Sequence, residues 1–444
     1  MASGLRCAGD GPGVAAARNC PMLTPKILTT LPDSTPQSVL VDLIAGLTVA
    51  MVALPLSLAI AIASGAAPAT GLVTAIIAGF LISALGGSRV QIGGPTGAFI
   101  VVVHGVIATH GFDGLVLATL MAGVILVVAG LMRAGSLMRL VPEPVINGFT
   151  IGIAAIIGLS QLPDAMGIVL PVGTPADALD RIPAIWAARG SFDWPSFAIG
   201  LGAILGIVGL RRLFPRLPGL IVAVGAVSAM VALFDLPVDT LRARFGPLPD
   251  RLPLPQLPEI TLTRMVALLP SALIIAFLAG IESLLSAMVA DRMVAGNHRP
   301  NAEILAQGVA NLGSALMGGL PATGAIARTA TNVRAGGHTP LAGIFHALII
   351  LAVMMLAAPL AGYLAMPALA GLLLVTAWNM SEPQHWRGYL TTGRVSDRVL
   401  LLLTMVLTVL ADLTVAIGVG VALGLALRLH RRDVPPADWT PPDR

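Results

Sequence analysis

The chain carries nearly the same short phrase twice: Gly93-Gly94-Pro95-Thr96-Gly97-Ala98, and Gly319-Leu320-Pro321-Ala322-Thr323-Gly324-Ala325. Each interrupts a long apolar stretch with residues that a membrane helix avoids. Proline has no backbone N–H and fixes its φ, while glycine tolerates unusual backbone angles. A helix therefore stops short of each phrase and restarts after it, at Ala98 and at Ala325. The N–H groups at such a buried start need partners, and the helix dipole adds roughly half a positive charge there. Two starts converging on one point from opposite sides form a site for an anion. Thr96 and Thr323 add hydroxyls to the backbone donors. The plainer alternative is that Gly and Pro merely kink ordinary spans. The second, symmetric copy favours the site.

Two ionisable residues belong to this picture. Arg328 falls one turn beyond Gly324 if a helix starts at Ala325, so it points near the helix entrance. An arginine at the centre of a membrane helix costs at least ~2.5–3.5 kcal/mol, so it needs a partner or a task. The task is a fixed positive charge beside the anion. The competing reading is an ion pair with Glu282, or snorkelling to the interface. Glu282 lies well inside an apolar run, within Ala279-Gly280-Ile281-Glu282-Ser283-Leu284-Leu285-Ser286. A membrane carboxylate can stay protonated while desolvated and ionise when a path opens, which makes Glu282 a candidate for proton coupling. Ser286 is one turn further on the same face. A Glu282–Arg328 pair that breaks during a cycle would serve both readings.

Other polar residues have quieter explanations. His104 and His346 sit in apolar segments and are assigned to hydrogen bonds with neighbouring helices. Gln307 and Asn311 share a helix face and read as interhelical glue. Asp412 sits at a hairpin tip as a helix cap, and Glu143 at a helix start, where an acid suits the dipole.

The elements that must position these groups follow from hydropathy. The 444-residue chain is 56% hydrophobic and only 11% charged, with a mean hydropathy of +0.90. Apolar runs of bilayer-spanning length recur almost end to end. The fold class is an all-α polytopic membrane protein with about 14 apolar segments. Segments at 42–62, 70–85, 98–109 and 114–132 lead to a fifth that ends near 162. After a polar stretch, 163–195, whose residues 176–189 read as a surface helix, two more flank Arg211-Arg212. A proline-rich linker, 235–259, divides the chain. The second half runs through 265–290, 303–316, the second broken segment, 341–360, 367–378 and a final hairpin ending near 429. The two cysteines, Cys7 and Cys20, imply neither a disulfide framework nor a metal site. No phosphate loop is present, so ATP hydrolysis within the chain is excluded as the energy source. A net charge of +4 does not point to nucleic acid.

Arginine placement orients the spans. With the N-terminus inside, Arg89, Arg211, Arg212, Arg292, Arg299 and Arg334 fall on the cytoplasmic side. Arg181, Arg189, Arg242, Arg244, Arg251 and Arg264 lie opposite, mostly in the two longest loops. Both termini are thus expected in the cytoplasm. Seven spans per half is an odd number, so the second half enters the membrane inverted. An internal spacing agrees: Pro55 lies 41 residues ahead of Thr96, and Glu282 lies 41 ahead of Thr323.

At these residues the chain resembles the SulP family of sulfate-permease-type anion transporters, over about residues 38–430. The resemblance is carried by Glu282 to Ala287, Val289-Ala290-Asp291, Asn301-Ala302-Glu303, Gln307 to Asn311, Pro321 to Thr329, and Thr339 to Gly343. In the first half Gly94-Pro95-Thr96 and Gly148 to Gly152 add to it. It implies a seven-plus-seven inverted repeat with half-helices at segments 3 and 10. It also implies a core domain, 38–140 and 263–362, moving like an elevator against a gate domain, 141–262 and 363–430. The tails are 1–37 and 431–444. The implied anion site takes Pro95, Thr96, Gly97, Ala98, Thr323, Gly324, Ala325, Ile326, Arg328 and Thr329, with Leu56 from the first span. Glu282 and Ser286 become the coupling positions. A homodimer in a bacterial inner membrane is expected, with a small anion as substrate, protons as the coupling ion, no cofactor and no enzymatic activity.

Two features depart from the family pattern. Glutamine often follows the first-span proline, but Leu56 stands here, which removes one polar substrate contact. The family's usual cytoplasmic STAS domain is expected to be absent, since the chain ends about a dozen residues after the last span. Sulfate, bicarbonate, chloride and a dicarboxylate all remain open as substrates. So do proton symport and anion exchange. The alternatives are a nucleobase permease of the same fold, against which Arg328 argues, a channel-like anion conductor, and a non-transporting scaffold.

Overall fold

The computed structural model describes residues 23–135, 143–170, 178–214, 218–383, 386, 391, 394–411 and 413–430. Cys7, Cys20, Asp412 and the tail 431–444 lie outside the described residues.

Six longer helices are seen among the described residues of the first half. α1 spans Pro36–Ala63 and opens with a reciprocal cap between Thr35 and Ser38. Pro36 occupies the first turn, where its missing N–H costs nothing. α2 spans Pro68–Leu85. A short strand, β1 (Gly93–Gly94), and a 3-10 turn (Gly97–Phe99) lead into α3, Ile100–Leu131. Gly111, at φ 70 and ψ 179, breaks α3 into two helices. The segments expected at 98–109 and 114–132 are these two pieces. α4 (Glu143–Met166) starts on its acidic residue and runs through Pro163 for a last turn beyond the expected end near 162. Proline near a helix end removes a single hydrogen bond, which the last turn tolerates. α5 (Trp194–Leu213) is capped by the Asp193 carboxylate, and α6 is Gly219–Leu233.

The second half follows the same plan. α7 is Leu262–Val294 and α8 is Pro300–Leu316. β2 (Thr323–Gly324) precedes the nine-residue α9, Ile326–Arg334. α10 (Leu341–Ala361), α11 (Met366–Met380), α12 (Val395–Leu410) and α13 (Leu413–His430) follow. Among the described residues seven helices are long and apolar enough to cross a membrane: α1 to α5, α7 and α10. The fold is therefore mostly helical and membrane-spanning. It is not purely α, because β1 and β2 pair as a small antiparallel ribbon.

Helix packing falls into two groups. α8 lies along α3 and α2, α7 along α3, and α10 along α1 and α2, with α9 against α1 and α7. Separately, α4 packs on α11 and α12, α11 on α5, α5 on α6, and α12 on α13. The pairing repeats when the halves are exchanged: α8 meets α3 as α10 meets α2. Small residues allow these close crossings. A Cβ on Gly308 would lie 2.8 Å from Gly123 O, and one on Gly123 would lie 3.0 Å from Gly308 O. A Cβ on Gly71 would overlap the backbone carbonyl of Ser57, which has no room to move. Gly71→Ala is therefore expected to destabilise the protein by about 1–3 kcal/mol. A lower thermal midpoint in detergent would show this, and an unchanged midpoint would contradict the close α1–α2 crossing.

The linker expected over 235–259 is stitched to the second half rather than hanging free. Leu241 N–H donates to Leu364 O at 2.8 Å and Met366 N–H to Asp239 O at 2.8 Å. Arg244 bridges Asp164 at 2.6 Å and Asp239 at 2.9 Å. Burial works against its charge, but the two carboxylates outweigh burial and raise its pKa above the usual arginine value.

Candidate anion-binding site

The two repeated phrases meet. Gly93 pairs with Gly324 and Gly94 with Thr323 in the antiparallel ribbon, and Ala325 N–H donates to Ile92 O at 2.8 Å. The ribbon gives the two broken stretches backbone partners in the protein interior, where none can come from water. Gly94 adopts φ 151, a conformation that only glycine takes readily. A Cβ there would also collide with the Arg328 guanidinium.

Each strand delivers its chain to a helix start. Thr96 precedes the Gly97–Phe99 turn, and Phe99 N–H is the first to reach a backbone carbonyl of that turn, Thr96 O at 3.3 Å. Ala325 precedes α9, where Thr329 N–H is the first to do so, on Ala325 O at 2.9 Å. The N–H groups ahead of these are Gly97 and Ala98 on one side, and Ile326, Ala327 and Arg328 on the other. They are the donors a helix start offers to an anion. Gly97, Ala98 and Ala325 are buried, Ile326 and Thr96 are half-buried, and Ala327 is exposed. The site therefore has an open edge. A Cβ on Gly97 would lie 3.4 Å from Met380 Sδ and 3.5 Å from Ile157 Cδ1. Residues of α4 and α11, from the other helix group, thus cover this helix start.

Glu282 and Arg328 flank the first phrase without touching each other. Thr96 Oγ1 donates to Glu282 Oε2 at 2.8 Å. Arg328 Nη2 donates to Pro95 O at 3.0 Å and to Ser57 Oγ at 3.2 Å. Among the described residues no carboxylate lies within ion-pair distance of Arg328. The alternative of a Glu282–Arg328 ion pair is not what the protein adopts here. Arg328 is only 1% exposed, and its Nη1 has no hydrogen-bond partner. A buried, unsatisfied guanidinium N–H is expensive and marks a place where an acceptor is wanted. The side chain points back toward the start of α9, as helical side chains do.

The remaining sequence candidates take different places. Thr329 Oγ1 accepts from Ile92 N–H at 3.0 Å and lies 3.1 Å from Ser286 Oγ. Both are fully buried, so they lock α7, α9 and the approach to β1 together. Thr323 does not mirror Thr96: it is fully buried and donates to Ala279 O at 2.8 Å. The second phrase sits in the ribbon with its Thr-Gly, whereas the first uses the preceding Gly-Gly. Thr96 thus emerges past the strand while Thr323 lies within it. Leu56 is half-buried and packs against the apolar core. His346 departs from the expected interhelical hydrogen bond, since it is fully buried and neither ring nitrogen has a partner. Among the described residues no three His, Cys, Asp or Glu side chains are grouped to hold a metal.

Six supporting residues take roles beyond any that the sequence reading assigned. Gln91 Nε2 donates to Ser283 Oγ at 2.9 Å, and Ser283 Oγ donates to Glu303 Oε1 at 2.8 Å. Gln307 Nε2 donates to the same Ser283 Oγ at 2.7 Å and to Glu303 Oε1 at 3.0 Å. The other Glu303 oxygen accepts from Gly87 N–H at 2.8 Å and Ser88 N–H at 3.2 Å. This fully buried network fixes α7 one residue beyond Glu282 and ties it to the loop that leads into β1. Asn311 brackets Ala322, accepting from its N–H at 2.9 Å and donating to its carbonyl at 2.9 Å. Ser57 was missed as an Arg328 partner. Its only signal was a hydroxyl two residues past Pro55 in an otherwise apolar run.

The model of the Sulfate permease family matches residues 39–404. YvdB of Bacillus subtilis, a protein named for sulfate transport, is 44% identical over 379 residues, covering 84% of this chain and 70% of its own. The bicarbonate transporter BicA of Picosynechococcus sp. is 31% identical over 388 residues, covering 84% of this chain and 67% of its own. The solved transmembrane domain of a cyanobacterial BicA superposes with a TM-score of 0.77 at 28% identity, covering 87% of this chain and 99% of that domain.

Proposed function

The chain belongs to the sulfate permease family, and from that premise we propose that it is a secondary active transporter of one small inorganic or organic anion. The family and its relatives are transporters rather than enzymes. Relatives named for sulfate and for bicarbonate support anion transport at the level of class. The observation that carries the reading is local: two helix starts converge beside the buried Arg328, whose Nη1 lacks an acceptor.

The finer arrangement is part of the same proposal. About 14 segments form a seven-plus-seven inverted repeat in a plasma membrane, with both termini in the cytoplasm and the protein acting as a homodimer. The first helix group is the core and the second the gate. The core carries the anion past the gate in an elevator-like cycle. Gly97, Ala98, Ile326 and Arg328 bind the anion, and Glu282 takes up the coupled proton while held by Thr96. The two-group packing and the half-open edge at Ala327 support this division.

The test is uptake by purified protein in proteoliposomes, with labelled sulfate, bicarbonate, fumarate and chloride, with and without an inward proton gradient. Saturable uptake of one anion that the gradient stimulates is the expected result. Uptake that needs only a trans anion would replace symport with exchange. Large non-saturating currents would replace both with a channel, and uracil uptake without anion uptake would make the protein a nucleobase permease.

A further inference from the structure

The loop between α4 and α5 contains a helix that turns two large apolar side chains outward. Ala178–Ala187 is α-helical and runs into a 3-10 turn, Ala188–Ser191. Ile182 is 55% exposed and Trp186 70% exposed. Ile182, Trp186 and Arg189 follow the i, i+4, i+7 spacing of a single stripe. On the inner face, Arg181, Ala184, Ile185 and Ala188 are partly covered. Both faces of this helix are thus largely apolar, whereas a helix resting on a water-soluble surface turns polar residues outward. The same segment continues into an aromatic cluster: the Phe192 and Trp194 rings are 4.9 Å apart, edge to face, and Trp194 and Phe197 are 6.1 Å apart. Trp194 is 72% exposed.

The segment is firmly held. Asp193 N–H donates to Met166 O at 3.0 Å, Val169 N–H to Ser191 Oγ at 3.0 Å, and Ser196 N–H to Asp193 Oδ2 at 2.9 Å. These bonds tie it to the ends of α4 and α5. The exposed stripe is therefore joined directly to the ends of two helices long and apolar enough to span a bilayer. Indoles at the ends of spanning helices place an apolar body beside the acyl chains and a polar N–H near the headgroups. Arg189 adds a cation at the same point. Its guanidinium stacks 4.8 Å above the Trp186 ring and donates to Trp186 O at 2.7 Å. An arginine beside an interfacial indole complements a lipid phosphate.

We propose that Ala178–Ala187 and the Phe192–Trp194–Phe197 cluster form a bilayer-interface anchor, with Ile182 and Trp186 at the acyl boundary and Arg189 on a lipid headgroup phosphate. The anchor belongs to the helix group of α4 and α5 and holds that group at fixed depth while the other moves. That consequence rests on the two-domain reading proposed above. The anchor itself does not, and its test needs no transport.

The experiment uses the full chain with Trp186 as sole tryptophan, the others (Trp194, Trp378, Trp386 and Trp439) being replaced by phenylalanine, and a matching Trp194-only protein. Each is reconstituted into vesicles of phosphatidylcholine and phosphatidylglycerol containing lipids brominated near the headgroup or near the chain end. Both tryptophans are expected to be quenched several-fold more by the shallow bromines, and several-fold less by aqueous acrylamide than free tryptophan is. Arg189→Ala in the Trp186-only protein is expected to weaken the shallow quenching. If those backgrounds fail to fold, the emission lost on Trp186→Phe in the native chain supplies the same quantities. Free access of acrylamide with no lipid quenching would overturn the proposal and leave the face to water or a protein. Strongest quenching by chain-end bromines would overturn the interfacial depth.

Discussion

Arg328→Ala is expected to abolish anion uptake while the protein still inserts and purifies as a folded species. The guanidinium is buried beside the first helix start, held by Pro95 O and Ser57 Oγ. Truncating a buried charge that meets an opposite charge costs about 2–5 kcal/mol. At least ~30-fold lower affinity follows from the low end of that range. Folding loses less, because Pro95 O and Ser57 Oγ are neutral, and an unmet partner costs ~1–3 kcal/mol. Arg328→Lys separates charge from geometry. Lysine keeps the positive charge but lacks the planar fork that reaches Pro95 O and leaves Nη1 free for the substrate. Intermediate uptake with raised KM is expected. Wild-type uptake by Arg328→Ala would remove Arg328 from the site and leave the helix starts alone as the anion's partners.

Glu282→Gln is expected to erase the stimulation of uptake by an inward proton gradient while preserving uptake driven by the anion's own gradient. The amide oxygen can still accept the Thr96 hydroxyl bond, now 2.8 Å long, so the helix start keeps its position. What glutamine cannot do is take and release a proton. Glu282→Ala goes further, because Thr96 then loses its acceptor. Such a hydrogen bond contributes about 0.5–1.5 kcal/mol, so affinity falls by up to ~10-fold in addition. Uptake by Glu282→Gln that still responds to the proton gradient would exclude Glu282 as the coupling group. His346, buried without a partner, would be the next residue to replace.

Much of the site was legible because its signals are local. Pro95 and Pro321 with their neighbouring glycines strongly disfavour a helix, so both breaks could be read from residue types. Arg328 and Glu282 stood out because charge inside an apolar run needs a reason. The polar partners did not stand out. Ser57, Gln91 and Glu303 gain their roles from contacts reaching far along the chain, such as Glu303 with Gly87 and Gln91 with Ser283. Nothing in the spacing of a serine on α1 says that it will meet an arginine on α9. Thr323 shows where repeat logic and strand register diverge. Repeat logic gave it the role of Thr96, but the ribbon register turned its hydroxyl inward onto Ala279 O.

The sequence by itself determined that the chain is a membrane bundle, where its helices break, and that two charged groups sit near those breaks. These follow from hydrophobic length, from proline's missing N–H and from glycine's freedom, all properties of the local chain. Tertiary structure alone decided that the two breaks pair as a ribbon, with Gly93 opposite Gly324. It alone placed Pro95 and Thr96 between Arg328 and Glu282, so that the two charges do not neutralise each other. The physical reason is that backbone groups freed inside a membrane must find partners. Which partners they find depends on how the halves pack, and no single half encodes that.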